Sequence, residues 1–166
     1  MAAAKRKNKG TVGIIGLGIM GGAFAKNLSR AGWQVVGYDI SAARRREAAR
    51  AGVEIARNAA ELATQVPVIL TSLPKPQALM NTVREIAAAK LPRKVLVEMG
   101  TFAIVDKENA ARALAKAGHA MLDTPVSGTG SQAAARDLIL YASGDPHLIK
   151  KLRPCLLYTS PSPRDS

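Results

Sequence analysis

Cysteine, histidine, aromatic and acidic side chains are all scarce in this 166-residue chain, and each scarcity removes a class of function. Cys155 is the single cysteine, so no intrachain disulfide and no cysteine-rich metal centre can be built. The two histidines, His119 and His147, stand far apart without cysteine partners, and no metal site is expected of them. Aromatic residues make up 4% of the chain, and Trp33, three Tyr and two Phe do not form the interleaved pattern on which nucleic-acid bases stack. No apolar run approaches the roughly 18 residues of a membrane span, and the N-terminus lacks a signal-peptide core. A cytoplasmic protein with no membrane partner is therefore expected.

The shortage of acid leaves 24 Lys and Arg against 12 Asp and Glu, a formal charge of +12. Lys5, Arg6, Lys7 and Lys9 place part of it in a polar, flexible arm over residues 1–10, and Arg44, Arg45 and Arg46 form a second cluster. Such an arm can touch phosphates, but a solvated terminus explains it as well, and nucleic-acid binding stays the lesser alternative. At the other end, CLLYTSPSPRDS over 155–166 breaks from the amphipathic DPHLIKKLRP into a Pro/Ser-rich run with neither helical nor strand period. Cys155 through Asp165 match, codon for codon, the translation of a transposase-based sequencing adapter. The stretch is read as a non-native tail rather than an ordinary Pro/Ser segment, which makes the native part end near Pro154 and leaves it without a thiol.

Residues 11–154 are the length of one domain. Short β-branched runs, TVGIIGLG, WQVVGYDI, VEIA, VPVILTSLP, KVLVEMG, AMLDTPVSG and LILYASG, read as strands. Between them MGGAFAKNLSRAG, SAARRREAARAG, NAAELATQ, KPQALMNTVREIAAAK, AIVDKENAARALAKAG and TGSQAAARD read as helices. Strands apolar on both faces, alternating with helices, predict a doubly wound α/β domain whose sheet is mostly parallel.

Gly16-Leu17-Gly18-Ile19-Met20-Gly21 fits G-x-G-x-x-G where a strand gives way to a helix, the Rossmann-type fingerprint. Gly16 permits the turn, Gly18 lets a pyrophosphate approach the backbone at the helix N-terminus, and Gly21 lets helix pack on strand. Asp39 ends the second strand 18 residues beyond Gly21, where a carboxylate accepts hydrogen bonds from an adenosine ribose. A carboxylate there favours NAD and repels the 2′-phosphate of NADP. Arg44 and Arg45 leave NADP open, since a guanidinium reaching back over the ribose accommodates a phosphate.

GLGIMGGAFAKNL resembles the N-terminal signature of the β-hydroxyacid dehydrogenase family, approximately GLGxMGxxMAxNL, and LDTPVSGTGSQAAARDL resembles its substrate signature, roughly DAPVSGGxxGAxxGTL. TSLP after the fourth strand strengthens the match. The chain departs from the pattern at Thr129, Gln132 and Arg136, where glycine is usual, and EMGT stands where D-x-S-T is more common, keeping Thr101. The resemblance implies that Leu73, Pro74 and Thr101 lie near the nicotinamide half of the cofactor, where the residues alone suggest a strand terminator at Pro74 and a helix cap at Thr101. It implies that Ser127, Gly128 and Thr129 meet the carboxylate of a small hydroxy-acid substrate, where a ligand-free turn is the plainer reading. It implies hydride transfer, a full-length homo-oligomer, and an acid/base lysine in a G-x-G-x-x-x-K-like segment that this chain does not contain. Lys150 and Lys151 are not assigned that role, so no catalytic residue is expected within the chain, and a non-catalytic dinucleotide- or nucleic-acid-binding module is the alternative reading.

Overall fold

The computed structural model of the chain describes residues 8–158. Its order is β1 (Thr11–Ile15), α1 (Ile19–Arg30), β2 (Gln34–Tyr38), α2 (Ala42–Arg50), β3 (Glu54–Ile55), α3 (Ala59–Gln65), β4 (Val68–Thr71), α4 (Pro76–Ala88), β5 (Val95–Glu98), α5 (Ile104–Lys116), β6 (Ala120–Asp123), β7 (Val126–Ser127), α6 (Gly130–Ala134), β8 (Ile139–Leu140) and α7 (Pro146–Leu156). Six strands form a sheet in the order β3-β2-β1-β4-β5-β6, every pairing parallel. This is the Rossmann-type doubly wound arrangement that the alternation of elements predicts.

The strands are apolar on both faces because each divides its residues between two cores. Val12 and Ile14 of β1, Val35 of β2, Leu70 of β4, Val97 of β5 and Leu122 of β6 join Phe24, Ala25 and Leu28 of α1. Ile15, Val36, Ile69 and Leu96, their neighbours in sequence, join Leu62, Leu79, Val83, Ile86 and Leu114 of α3, α4 and α5. Successive side chains on a strand point to opposite faces, so a sheet covered on both sides tolerates no polar alternation. Each fully buried Leu, Ile or Phe contributes about 1.5–3 kcal/mol. The chain leaves β1 toward β2 and β3 and then crosses to β4 on the other side of β1. That reversal opens a crevice at the carboxyl ends of β1 and β4, where this fold takes its ligands.

Four stretches differ from the sequence expectation. AMLDTPVSG, expected as one strand, is cut at Pro125, which has no N–H for a ladder. The Thr124 N–H donates the last bond to the Glu98 carbonyl at 2.8 Å, and β7 then pairs antiparallel with β8, Val126 opposite Leu140. The helix expected in TGSQAAARD is the short α6, and the strand expected in LILYASG is the two residues of β8. At the C-terminus α7 runs through Pro154 to Leu156, across the boundary drawn at 154, because Leu152, Cys155 and Leu156 share one face and are buried in the α1-side core. The rest of the expected tail, 159–166, lies outside the described residues, as do 1–7 of the basic arm. Of that arm, the Lys9 N–H donates to the Gly32 carbonyl and the Gly10 carbonyl accepts from Gln34 at 2.9 Å, which ties it to the α1–β2 turn.

Candidate dinucleotide-binding site

Gly16 leaves β1 at φ +93° with its N–H bound to the Tyr38 carbonyl at 2.9 Å, and a Cβ there would overlap the carbonyl of Ser72. A Cβ on Gly21 would overlap the carbonyl of Gly16. The first and third glycines therefore serve the turn and the contact of α1 with the sheet. Gly18 is different: a Cβ on it would meet only the Arg44 guanidinium, at 3.1 Å. Gly18 is also the N-cap of α1, with no side-chain cap and no acid in the first turn. An uncapped helix N-terminus with an open approach at its cap residue suits an anionic group, so the residues present fit a dinucleotide pyrophosphate. Ile19 is 77% exposed at this lip, Met20 packs partly against the core, and Leu17 is buried in it. A cavity of about 470 Å³ runs from Gly18 and Arg44 along α1, where Lys26 and Glu47 pair at 3.1 Å.

Asp39 stands beside the glycine turn but is nearly buried, at 7% exposure. Its Oδ2 accepts from the Leu17 N–H and its Oδ1 from the Ser41 N–H, each at 2.8 Å. The carboxylate thus locks the turn after β1 to the turn after β2, and the Leu17 N–H is occupied. Each oxygen keeps a second lone pair for a ribose hydroxyl. The two arginines separate: Arg45 folds back onto the carbonyls of Asp39 and Ile40 at 2.7 and 3.1 Å, whereas Arg44 is half exposed over Gly18, 3.9 Å from Asp39. Only Arg44 is placed where a phosphate on the ribose could meet it.

Farther along the sheet, Leu73 lies against Gly16, its Cδ2 3.3 Å from the position a Cβ would take there, and Pro74 is exposed beside it. Thr101 is exposed and does not cap α5; the N-cap is Ala103, with no side-chain bond. Ser127 and Gly128 are exposed, and Gly128, at φ +144°, could not carry a Cβ without meeting Leu138. Thr129 has a structural task in a capping box: its hydroxyl accepts from the Gln132 N–H at 3.2 Å and its N–H donates to Gln132 Oε1 at 2.8 Å. Gln132, one of the departures from the glycine pattern, therefore holds the start of α6.

The sequence reading missed a buried polar cluster between these loops. Thr71, Glu98 and Asp123 occupy one row across the ends of β4, β5 and β6. The Thr71 hydroxyl donates to Glu98 Oε2, and the Gly100 N–H to Glu98 Oε1 at 2.6 Å. Lys107 of α5 donates to the Gly100 carbonyl and to Asp123 Oδ1, both at 2.5 Å. Burial pushes the Glu98 carboxyl up from its ordinary range, and the Thr71 and Gly100 bonds and Lys107 oppose this. A signal was present: Lys107, Ala110 and Leu114 fall at i, i+3 and i+7, which put the lysine on the buried face of its helix. His119 lies outside the site, its Nδ1 accepting from the Lys94 N–H at 2.9 Å before β6. Burial pushes the Cys155 thiol up to about 12, which makes it a poor nucleophile. Among the described residues no group of three or more His, Cys, Asp or Glu could hold a metal, and no helix is long and apolar enough to cross a membrane.

Comparison with known proteins agrees with this geometry. Residues 11–161 match the family model described as the NAD binding domain of 6-phosphogluconate dehydrogenase. A probable 3-hydroxyisobutyrate dehydrogenase of Mycobacterium bovis is 31% identical over 146 residues, which cover 88% of this chain and 50% of the relative. An L-threonate dehydrogenase of Cupriavidus necator is 35% identical over 136 residues, covering 80% and 46%. The solved structure of 3-hydroxyisobutyrate dehydrogenase from Mycobacterium tuberculosis with L-serine has a TM-score of 0.87 at 30% identity, covering 90% of this chain and 52% of that one. The chain spans about half the length of the curated relatives it matches.

Proposed function

The chain belongs to the family of 6-phosphogluconate dehydrogenase NAD-binding domains, and on that premise we propose that it is the cofactor-binding half of an oxidoreductase acting on a small hydroxy acid. The observation that carries the reading is the uncapped N-terminus of α1 at Gly18, beside a carboxylate already aimed at the glycine turn. In this reading the backbone around Gly18, Ile19 and Met20 holds the pyrophosphate and Asp39 accepts from the ribose. Leu73, Pro74 and Thr101 border the nicotinamide, and Ser127 and Gly128 take the substrate carboxylate through a hydroxyl and exposed N–H groups. Thr129 orders that segment through its cap, which narrows the direct substrate role first expected of it. The bound nicotinamide supplies the hydride acceptor; the residues of this chain bind and orient.

The relatives' names, 3-hydroxyisobutyrate, L-threonate and L-serine dehydrogenase, set the class of candidate substrates. The general acid/base is assigned to a lysine in a portion that the longer relatives carry and this chain does not, and Cys155 onward to adapter-derived sequence. A cytoplasmic, homo-oligomeric full-length enzyme belongs to the same proposal, and no nucleic-acid partner is proposed.

Cofactor choice is the test. Fluorescence titration at equal ionic strength is expected to give tighter binding of NADH than of NADPH, because Asp39 repels the 2′-phosphate. Asp39→Ala is expected to narrow the ratio of the two affinities, a quantity insensitive to any general loss of stability. Equal or reversed affinities in the unaltered chain would mean that Arg44, over Gly18, governs the choice instead.

A further inference from the structure

We propose that Lys107 is a positioning residue: its ammonium ties the loop carrying Thr101 to the strand end that leads to Ser127, so that the two flanks of the nicotinamide site keep one relative placement. The inference rests on the dinucleotide reading above and extends it to residues with no assigned role. Lys107 is 6% exposed. Its two bonds run to different segments, the Gly100 carbonyl in the β5–α5 loop and the Asp123 carboxylate at the end of β6, each at 2.5 Å. Gly100 is held from its other side by Glu98, which is joined in turn to Thr71 at the end of β4. One chain of polar contacts therefore spans the ends of β4, β5 and β6, and Lys107 is its only cation.

The chemistry explains why a lysine occupies this place. An apolar residue would cover the buried face of α5 without the desolvation that a charged group suffers. What an apolar residue lacks is a directed link between two loops. A four-carbon stem reaches from the helix to both acceptors, and the carboxylate keeps the charge paired in a partly dry setting. Phe102, whose ring centroid is 5.9 Å from the ammonium, closes one side. The loop that it borders presents Thr101 to solvent, and Asp123 precedes the Thr124-Pro125 corner that turns the chain into Ser127.

The experiment compares NADH with ADP-ribose, which has the pyrophosphate and ribose but no nicotinamide, on this chain and on Lys107→Met, Lys107→Arg and Asp123→Asn, with melting temperatures in parallel. Lys107→Met is expected to weaken NADH by about tenfold, the equivalent of about 1.4 kcal/mol, while ADP-ribose affinity stays within about twofold because Gly18 and Asp39 hold it. Lys107→Arg is expected to recover most of the loss. A lower melting temperature with an unchanged ratio of the two affinities would reduce Lys107 to a structural ion pair and overturn the proposal. If Lys107→Met does not fold, Asp123→Asn, which keeps the side-chain shape, decides by the same ratio. Failure of the unaltered chain to bind ADP-ribose would overturn the dinucleotide reading itself, and this inference with it.

Discussion

Glu98 has no exposed surface, yet it ends a strand at the mouth of the crevice. A Cβ on Gly100 would lie 2.6 Å from Glu98 Oε1 and 2.8 Å from Phe102, so the long acid fills the space that a side chain at position 100 would need. That gives EMGT a steric logic of its own beside the D-x-S-T that it replaces. Burial holds the carboxyl above its ordinary value of 4.5. With the folded value above the unfolded one, the associated stability is complete below the unfolded value and is lost as pH rises through the folded one. Glu98→Gln is therefore expected to gain melting temperature relative to the parent as pH rises above the ordinary carboxyl value of 4.5. A difference that does not change with pH would show that Glu98 is not the titrating group.

At the scale of elements, the departures from the glycine-rich substrate signature fall into two kinds. Thr129 and Gln132 cap α6 reciprocally, so they strengthen a five-residue helix that is anchored to α1 by the Asn27 side chain donating to the Ala133 carbonyl at 2.9 Å. Arg136 is strained: at φ +59° it sits in the left-handed region just past α6, where glycine is favoured. Its guanidinium donates to the Leu157 carbonyl at 3.2 Å and lies 5.0 Å from the Tyr158 ring centre, contacts that are solvent-exposed and weak. Arg136→Gly is expected to stabilise the chain by about 0.5–1 kcal/mol in urea unfolding. A loss of stability would mean that the contacts with α7 outweigh the backbone strain.

For the whole molecule, half of the relatives' length is present, and the expectation is cofactor binding without turnover. General acid/base catalysis contributes about 10² to 10⁴ in rate, and the lysine assigned to it is outside this chain. Ile104 and Val105 at the start of α5, and Ile139 and Tyr141 at β8, are more than half exposed. Apolar surface of that kind promotes self-association. NAD reduction would be assayed with 3-hydroxyisobutyrate, glycerate, threonate and 6-phosphogluconate, on this chain and on one extended by the continuing reading frame. Only the extended form is expected to turn over. Turnover by the chain alone would return Lys150 or Lys151 to consideration as the base.

The alternation of strands and helices, the glycine turn and the carboxylate after the second strand were legible in the chain. These depend on short-range rules: residues apolar on two faces, helix stops, and a motif whose steric demands act within a few residues. The sequence also placed Leu73 and Thr101 just past the ends of β4 and β5, because parallel strands joined by crossovers bring those ends to one edge. That Arg45 turns back while Arg44 faces Gly18, that Asp39 locks two turns together, and that Pro125 sends β7 out of the parallel sheet became visible in three dimensions alone. The cluster of Thr71, Glu98, Lys107 and Asp123 belongs to the same group. Its members are up to 52 residues apart, from position 71 to position 123, and their partnership depends on strand register and on which face of α5 meets the sheet. Such long-range geometry has no local signature, which is why the turn chemistry could be read from the chain and the polar link between the loops could not.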